Sequence, residues 1–507
     1  MSRTTNSLYN AGAAIAGQLF NSLLRFVCRT VFLHTLGQEY LGISSLYTNV
    51  ITILCITELG FSTAITFSLY DPLARDDRQA VRALMDFFHK AYRIIACAVL
   101  ALGLALMPLL PKLMTGVTDK VNIYHYYLLY LAQSVTSYLF FSYKSVLLIA
   151  DQKKYTVDFI GYACQTVMAI VQILVLVVWK SFLAYTVLQI VCSISQNIVT
   201  ALVVDRRYPY LRGKAPKLDP KEQKNIIHRV FAMSLNKLST AVGTSTDNLI
   251  ISGYVSVLAV GLYSNYEMVV QIVQKLLKGV FQGFTSSVGN LYATGEREQS
   301  LFLFRCLNML NNCLIVFCGV CFLTLFQPFV TLWAGADYLL SYAVVITIVL
   351  NFATNYLQNV VQVFREACGS FVRGKYRPVA TAVLNLGLSL LLVKPMGIAG
   401  VFWGSIISRM VTTWWFDAWL LFRTCFGVSP ARDSLECGGP LGITALCAGA
   451  VELIFRGLSA VTWPLLLLKG LTCLAVVGAV CLLLCFRSPE FAYLKEKALG
   501  LLRRRTQ

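Results

Sequence analysis

Charge is what this chain has least of. Aspartate, glutamate, lysine and arginine make up 13% of its 507 residues, against 57% apolar residues, and mean hydropathy is +0.66. Soluble globular domains carry roughly 25% charged residues, so a chain wetted over its whole surface is excluded. Histidine is nearly missing. His34, His89, His125 and His228 stand apart from one another, with no ligand-like spacing, and no metal site is expected. Cysteine is present but not organised. The sixteen thiols are scattered through apolar segments, and the one tight pair, Cys318 and Cys321, lies in a hydrophobic run where buried thiols are the simpler reading than a redox pair. Long external loops are also missing. The longest one expected, 327–340, has about fourteen residues. That leaves little room for an extracytoplasmic catalytic domain, so the chain is not expected to be an enzyme.

What is present is a series of apolar runs of roughly 20 residues, each able to cross about 30 Å of hydrocarbon. The expected fold is an all-α integral membrane protein with about fourteen spans, near 8–33, 43–69, 91–111, 123–149, 157–178, 182–204, 229–252, 258–286, 304–326, 341–366, 378–393, 397–422, 440–456 and 463–486. The first run is expected to stay in the chain, because it is long, lacks a small-residue cleavage site and carries two arginines. With both termini in the cytoplasm, the loops sort by charge. Inside lie Arg75, Arg78, Arg82, Arg206, Arg207 and Arg503–Arg505; outside lie only Lys112, Lys120, Lys180, Lys394 and Arg456. This is the positive-inside pattern. It accounts for the net charge of +19 without nucleic acid, which is not an expected partner. The basic, proline-containing stretch 205–228 reads as a cytoplasmic linker. The chain therefore divides into a first lobe with its linker (1–228), a second lobe (229–428), and two further spans with a basic cytoplasmic tail (429–507).

An internal repeat supports that division. Leu41-Gly42-Ile43-Ser44-Ser45-Leu46-Tyr47 after the first span is matched by Val260-Gly261-Leu262-Tyr263-Ser264-Asn265-Tyr266 after the seventh. Ser68-Leu69-Tyr70-Asp71 and Asn290-Leu291-Tyr292-Ala293 close the following spans. Both copies begin inside, so two six-helix lobes are expected to be parallel repeats related by an axis along the membrane normal.

Charges within the spans are the candidate functional residues, because an ionised side chain in hydrocarbon is costly and usually faces a watered interior. On the first span Gln18, Asn21, Ser22, Arg25 and Arg29 share one helix face. Arg25, Arg29, Lys237 and Arg409 are the candidate substrate-binding residues. Excess cations suit an anionic cargo, since phosphate takes charge-assisted, often bidentate bonds from arginine. Glu58, Asp247 and Glu267 are candidates for compensating that field or for coupling transport to H⁺ or Na⁺; no other cofactor is expected. Lys275 and Asp417 are further charges inside spans. Lys144, Lys278 and Arg365, near cytoplasmic ends, read as snorkelling or structural residues.

Several segments resemble bacterial polysaccharide-export flippases of the multidrug/oligosaccharidyl-lipid/polysaccharide exporter superfamily. They are Arg29-Thr30-Val31-Phe32-Leu33-His34-Thr35-Leu36-Gly37-Gln38-Glu39-Tyr40-Leu41-Gly42-Ile43, Glu58-Leu59-Gly60-Phe61, Leu69-Tyr70-Asp71-Pro72-Leu73-Ala74, Thr246-Asp247-Asn248-Leu249-Ile250-Ile251-Ser252, Phe364-Arg365-Glu366-Ala367-Cys368-Gly369 and Gly397-Ile398-Ala399-Gly400-Val401-Phe402. The resemblance covers about 5–428 and implies a V-shaped pair of lobes that alternates between inward-open and outward-open states. It also implies a cargo, an oligosaccharide on an undecaprenyl pyrophosphate lipid moved to the outer leaflet of the bacterial plasma membrane. Implied partners are that lipid, bulk membrane lipids, and the glycosyltransferases and polymerase of the same pathway. Lipid II, the peptidoglycan precursor, is the alternative cargo, because fourteen spans also fit lipid II flippases; a membrane glycosyltransferase or polymerase is the weaker alternative.

Overall fold

The computed structural model describes all residues outside 1–2, 56–60, 115–121, 141–142, 212, 214, 217, 283, 285–287, 290, 292–296, 369–375, 429–437, 458–460 and 504–507. The described residues form helices joined by short turns, without strands. Seven of their helices are long and apolar enough to cross a membrane, and Gly439–Phe455 is a shorter apolar one. The chain forms two compact units, Met1–Gly261 and Leu262–Gln507. This division follows packing, whereas the lobes read from the sequence follow the repeat. The seventh span packs with the first unit.

Unit 1 begins with α1 (Arg3–Leu54), a 52-residue helix interrupted at Gly37, whose φ of 83° and ψ of −172° are not helical. Glycine occupies that region without a Cβ penalty. The interruption falls between the first two spans expected from the sequence. The first half runs beside α6, with Cys28 Sγ 3.8 Å from Gln172 Oε1. The second half runs beside α4, with the Ser44 and Tyr130 hydroxyls 2.7 Å apart and Cys55 Sγ 3.0 Å from Ser134 Oγ. A single glycine therefore replaces the loop expected at 34–42. The unit continues with α2 (Phe61–Ala74), α3 (Arg78–Leu106), α4 (Ile123–Leu139), α5 (Lys144–Ala150), α6 (Lys154–Trp179), α7 (Phe182–Arg207) and α8 (Pro220–Tyr254). In α3, Val81, Leu84, Met85, Phe88, Tyr92, Ile95, Ala96 and Val99 are buried at helical spacing, and Asp77 caps its start by accepting from the Gln79 and Ala80 amides at 3.1 and 3.0 Å. This helix begins well before the expected 91, because its first three turns are an amphipathic extension beyond the apolar run. The linker is likewise shorter than read from composition: Asp219 and Pro220 start α8, so the last third of the stretch is helix.

Close approach of backbones explains two of the glycine landmarks. A Cβ on Gly42 would lie 2.2 Å from the Val257 carbonyl oxygen, and one on Gly261 would lie 2.6 Å from the Gln38 carbonyl oxygen and 3.1 Å from the Gly42 amide nitrogen. The equivalent glycines of the two repeat copies thus meet each other. Small residues at such crossings let helices pack without the hydrophobic driving force that lipid removes.

Unit 2 starts within α9 (Val257–Gln282), followed by α10 (Arg297–Trp333), α11 (Tyr342–Tyr356), α12 (Asn359–Ala367), α13 (Arg377–Met396), α14 (Ile398–Arg409), α15 (Trp415–Leu421), α16 (Gly438–Phe455), α17 (Trp463–Cys485) and α18 (Pro489–Arg503). Two wide, π-type turns, Met410–Trp414 and Phe422–Phe426, bracket α15. The helix α10 extends to Trp333 and shortens the segment expected as an external loop at 327–340. The helices α13 and α14 also pack closely, and a Cβ on Gly400 would fall 2.1 Å from the Leu392 carbonyl oxygen. The two extra spans, α16 and α17, pack on α10 through Val316, Val320, Cys447, Ala448, Val451, Phe455, Cys473 and Val477. Cys321 of α10 meets Cys473 of α17, and Cys313 meets Cys481. Cys318, three residues before Cys321, lies within reach of Tyr356 of α11 instead.

Candidate functional site

The polar face of α1 divides along its length. Asn21 and Ser22 turn back on their own helix, donating to the Gly17 and Gln18 carbonyls at 3.1 and 2.8 Å, as short polar side chains do inside helices. Arg25 is exposed on the surface of unit 1, and its Nη2 donates to Gln165 Oε1 on α6. One turn on, Arg29 is half-buried, within electrostatic reach of the Tyr130 and Tyr185 phenols. The Tyr185 ring in turn lies 5.0 Å from Phe32, which is 5.9 Å from Phe182, and Tyr40 lies 5.0 Å from Phe182. Gln172 completes the layer by donating to the Tyr185 carbonyl at 3.3 Å. Arg25 and Arg29, one turn apart on α1, thus form one cationic strip, exposed at Arg25 and close to the Tyr130 and Tyr185 phenols at Arg29.

Asp247 is buried on α8 beside Asn248, with Ser245 and Ser252 on the same helix also buried. Lys237 lies on α8, but its side chain is outside the described ones, and Glu58 is outside the described residues altogether. In unit 2, Glu267 is half-buried and accepts from Gln271 Nε2 at 3.1 Å. Arg409 is half-buried at the end of α14. It donates to Asn351 Oδ1, to the Asn351 carbonyl at 3.3 Å and to Thr354 Oγ1 at 3.4 Å, tying α14 to α11. The candidate residues are therefore shared between the units: Arg25, Arg29, Lys237 and Asp247 in the first, Glu267 and Arg409 in the second.

Among the described residues, the most deeply buried charge cluster was not grouped by sequence reasoning. Asp417, fully buried on α15, takes Arg365 Nη1 at Oδ1 and Arg377 Nη1 at Oδ2. The two arginine side chains are 10% and 19% exposed. Phe364 and Phe422 belong to the adjoining apolar cluster, in which the Phe304 ring stands edge-on to both at 5.3 Å. Arg365 thus faces inward to a carboxylate rather than snorkelling outward. The available signal was three charges, 365, 377 and 417, at the same ends of consecutive spans. A second ion pair, Lys469 with Glu452 at 2.7 Å, joins α17 to α16. It too went unread, although both residues interrupt apolar runs. Among the described residues no group of three His, Cys, Asp or Glu side chains could hold a metal ion.

Residues 7–284, more than half of the chain, match the model of a family described as polysaccharide biosynthesis proteins. The chain belongs to that family. This polysaccharide biosynthesis family member is also similar in fold to three transporters. Over 94% of the chain and 100% of the other, it superposes on the lipid II flippase MurJ in an inward closed conformation, with a TM-score of 0.69 and 12% identity. An inward-facing multidrug-resistance MATE family transporter of the MOP superfamily gives 0.62 at 14% identity over 80% of this chain and 94% of that one. A point mutant of the Vibrio cholerae MATE transporter VcmN gives 0.54 at 13% identity over 85% and 99%. None of the curated protein sequences matches the chain. Family, apolar helices and fold together make it a multi-pass, all-α membrane protein with the fold of MOP-superfamily transporters.

Proposed function

We propose that the protein flips an oligosaccharide carried on a polyprenyl pyrophosphate, undecaprenyl pyrophosphate by the resemblance, from the cytoplasmic to the outer leaflet for cell-surface polysaccharide synthesis. The observation that carries the proposal is the Arg25–Arg29 strip of α1 in a chain whose family is polysaccharide biosynthesis. A pyrophosphate offers several acceptor oxygens to two guanidiniums one turn apart, while sugars stack on aromatic rings such as those beside Arg29. Translocation makes and breaks no covalent bond, so no catalytic residue is assigned. The cargo would be exchanged between lobes by alternating access, which requires it to bind the two states with different affinity. Asp247 and Glu267, with Glu58, supply carboxylates for H⁺ or Na⁺ coupling. Both termini lie in the cytoplasm on the distribution of lysine and arginine.

In cells lacking their own exporter, Arg25→Ala with Arg29→Ala should abolish surface polysaccharide while the protein still reaches the membrane at wild-type level. Wild-type polysaccharide in that double variant refutes the assignment. Lipid II is the second reading, favoured by the similarity to MurJ over nearly the whole chain. Growth of cells depleted of their lipid II flippase, restored by this protein, would select it.

A further inference from the structure

We propose that unit 2 carries a binding site for a zwitterionic phospholipid headgroup, one with a phosphate and a primary ammonium, between α10, α16 and α17. The site is a cleft of about 390 Å³ lined by Leu323, Thr324, Gln327, Pro328, Tyr342, Glu452 and Lys469. It lies at the low end of ligand-pocket sizes, suited to a headgroup rather than an oligosaccharide.

Its depth follows from its neighbours. Trp333 ends α10 and Trp463 begins α17; Phe329 stacks on Trp333 at 5.6 Å and meets Trp463 edge-on at 6.3 Å. Tryptophan belts mark the membrane–water interface. At 1.5 Å rise per residue, Lys469 lies about 9 Å and Glu452 about 4–5 Å inward of the adjacent helix ends. That is the headgroup and upper acyl zone. Leu467, Leu468, Leu471 and Leu474 of α17 are more than half exposed, which is the dress of a lipid-facing helix.

The chemistry is paired. Lys469 Nζ donates to Glu452 Oε1 at 2.7 Å. Its side chain is 13% exposed, whereas that of Glu452 is 46% exposed, and among the described residues Oε2 takes no other hydrogen bond. The lysine retains two further N–H donors for a phosphate oxygen. Glu452 can accept from an ammonium. Pro328, which also lines the cleft, has no N–H to give to the Thr324 carbonyl one turn back, so α10 lacks one helix hydrogen bond at this wall. A headgroup with phosphate and ammonium would close an alternating ring of four charges here. An anionic headgroup would meet Glu452 unfavourably, and a trimethylammonium has no N–H to donate.

The full-length protein in detergent, titrated with phosphatidylethanolamine, phosphatidylcholine or phosphatidylglycerol and read by native mass spectrometry, tests this. Phosphatidylethanolamine should bind about tenfold more tightly than either of the others, the value of one charge-assisted hydrogen bond. Glu452→Gln should erase the preference over phosphatidylcholine, and Lys469→Met should weaken all three, with Lys469→Arg restoring binding. Equal retention of the three lipids by wild type, or an unchanged preference in folded Glu452→Gln protein, overturns the proposal. Thermal melts of each variant show which ones are folded. If Lys469→Met does not fold, Glu452→Gln alone decides, since its side chain is nearly half exposed.

Discussion

Replacing Asp417 by asparagine keeps the shape of the side chain and removes its charge. Two guanidiniums, 10% and 19% exposed, would then share a site with no counter-ion, against the apolar cluster of Phe304, Phe364 and Phe422. Removing one partner from a buried ionic group costs about 3–5 kcal/mol, because the charge left behind stays desolvated. For a unit of this size each kcal/mol lowers the melting temperature by roughly 2–4 °C, so Asp417→Asn should melt about 6–20 °C below wild type. The measurement is thermal unfolding of the purified protein in detergent, followed by tryptophan fluorescence. The combined variant Arg365→Met, Arg377→Met and Asp417→Leu should recover most or all of the loss, since an apolar replacement of a whole buried triad is about neutral or stabilising by roughly 1–4 kcal/mol. A fall of under about 3 °C in Asp417→Asn, or a combined variant less stable than the single one, refutes the reasoning. In the first case the arginines find other acceptors; in the second the triad contributes net attraction beyond its desolvation cost.

The remaining predictions concern unit 1. Gly42→Ala and Gly261→Ala each push a methyl group against a backbone carbonyl, at 2.2 and 2.6 Å, so each should destabilise by about 1–3 kcal/mol or more; an alanine variant melting with wild type would exclude the close approach. At the turn between α5 and α6, Asp151 is partly buried, which alone would raise its pKa, but hydrogen bonds from Lys153 and Tyr208 overcome burial and hold it below the usual carboxylate value. A depressed carboxylate contributes stability that is fully present above its unfolded value, near 3.9, and lost as pH falls through the folded value. The hydrogen-exchange protection factor of this turn, corrected for the intrinsic rate, should therefore be flat from neutral pH down to about 5 and fall only below 4, while Tyr208→Phe should move that fall to higher pH. Loss of protection near pH 6 in wild type would contradict the assignment.

Much of the fold was legible because a membrane leaves few choices. Every backbone polar group must be paired internally, so long apolar runs become helices. The last two spans, read at 440–456 and 463–486, appear as Gly438–Phe455 and Trp463–Cys485. Boundaries were least legible where helices continue past the hydrocarbon into polar sequence, as at Arg78 and Pro220. Helix propensity and capping decide those ends, and hydropathy does not register them. The candidate site was legible as a set of costly charges, but their pairing was not. Nothing in the local sequence of Arg409 indicates Asn351, fifty-eight positions away.

Hydropathy and charge placement are properties of the linear chain, and from them alone a helical, multi-pass membrane protein could be read. The sequence also marked Arg25 and Arg29 as neighbours, since 3.6 residues per turn fixes their spacing on any helix. Tertiary structure alone decided that Arg365, Arg377 and Asp417 form one buried triad, that Lys469 meets Glu452 in a cleft, and that Gly42 and Gly261 touch. Those contacts depend on which helix faces meet and at what distance. They are set by packing between segments remote in sequence, where a methyl group or an unpaired charge decides whether the helices can approach.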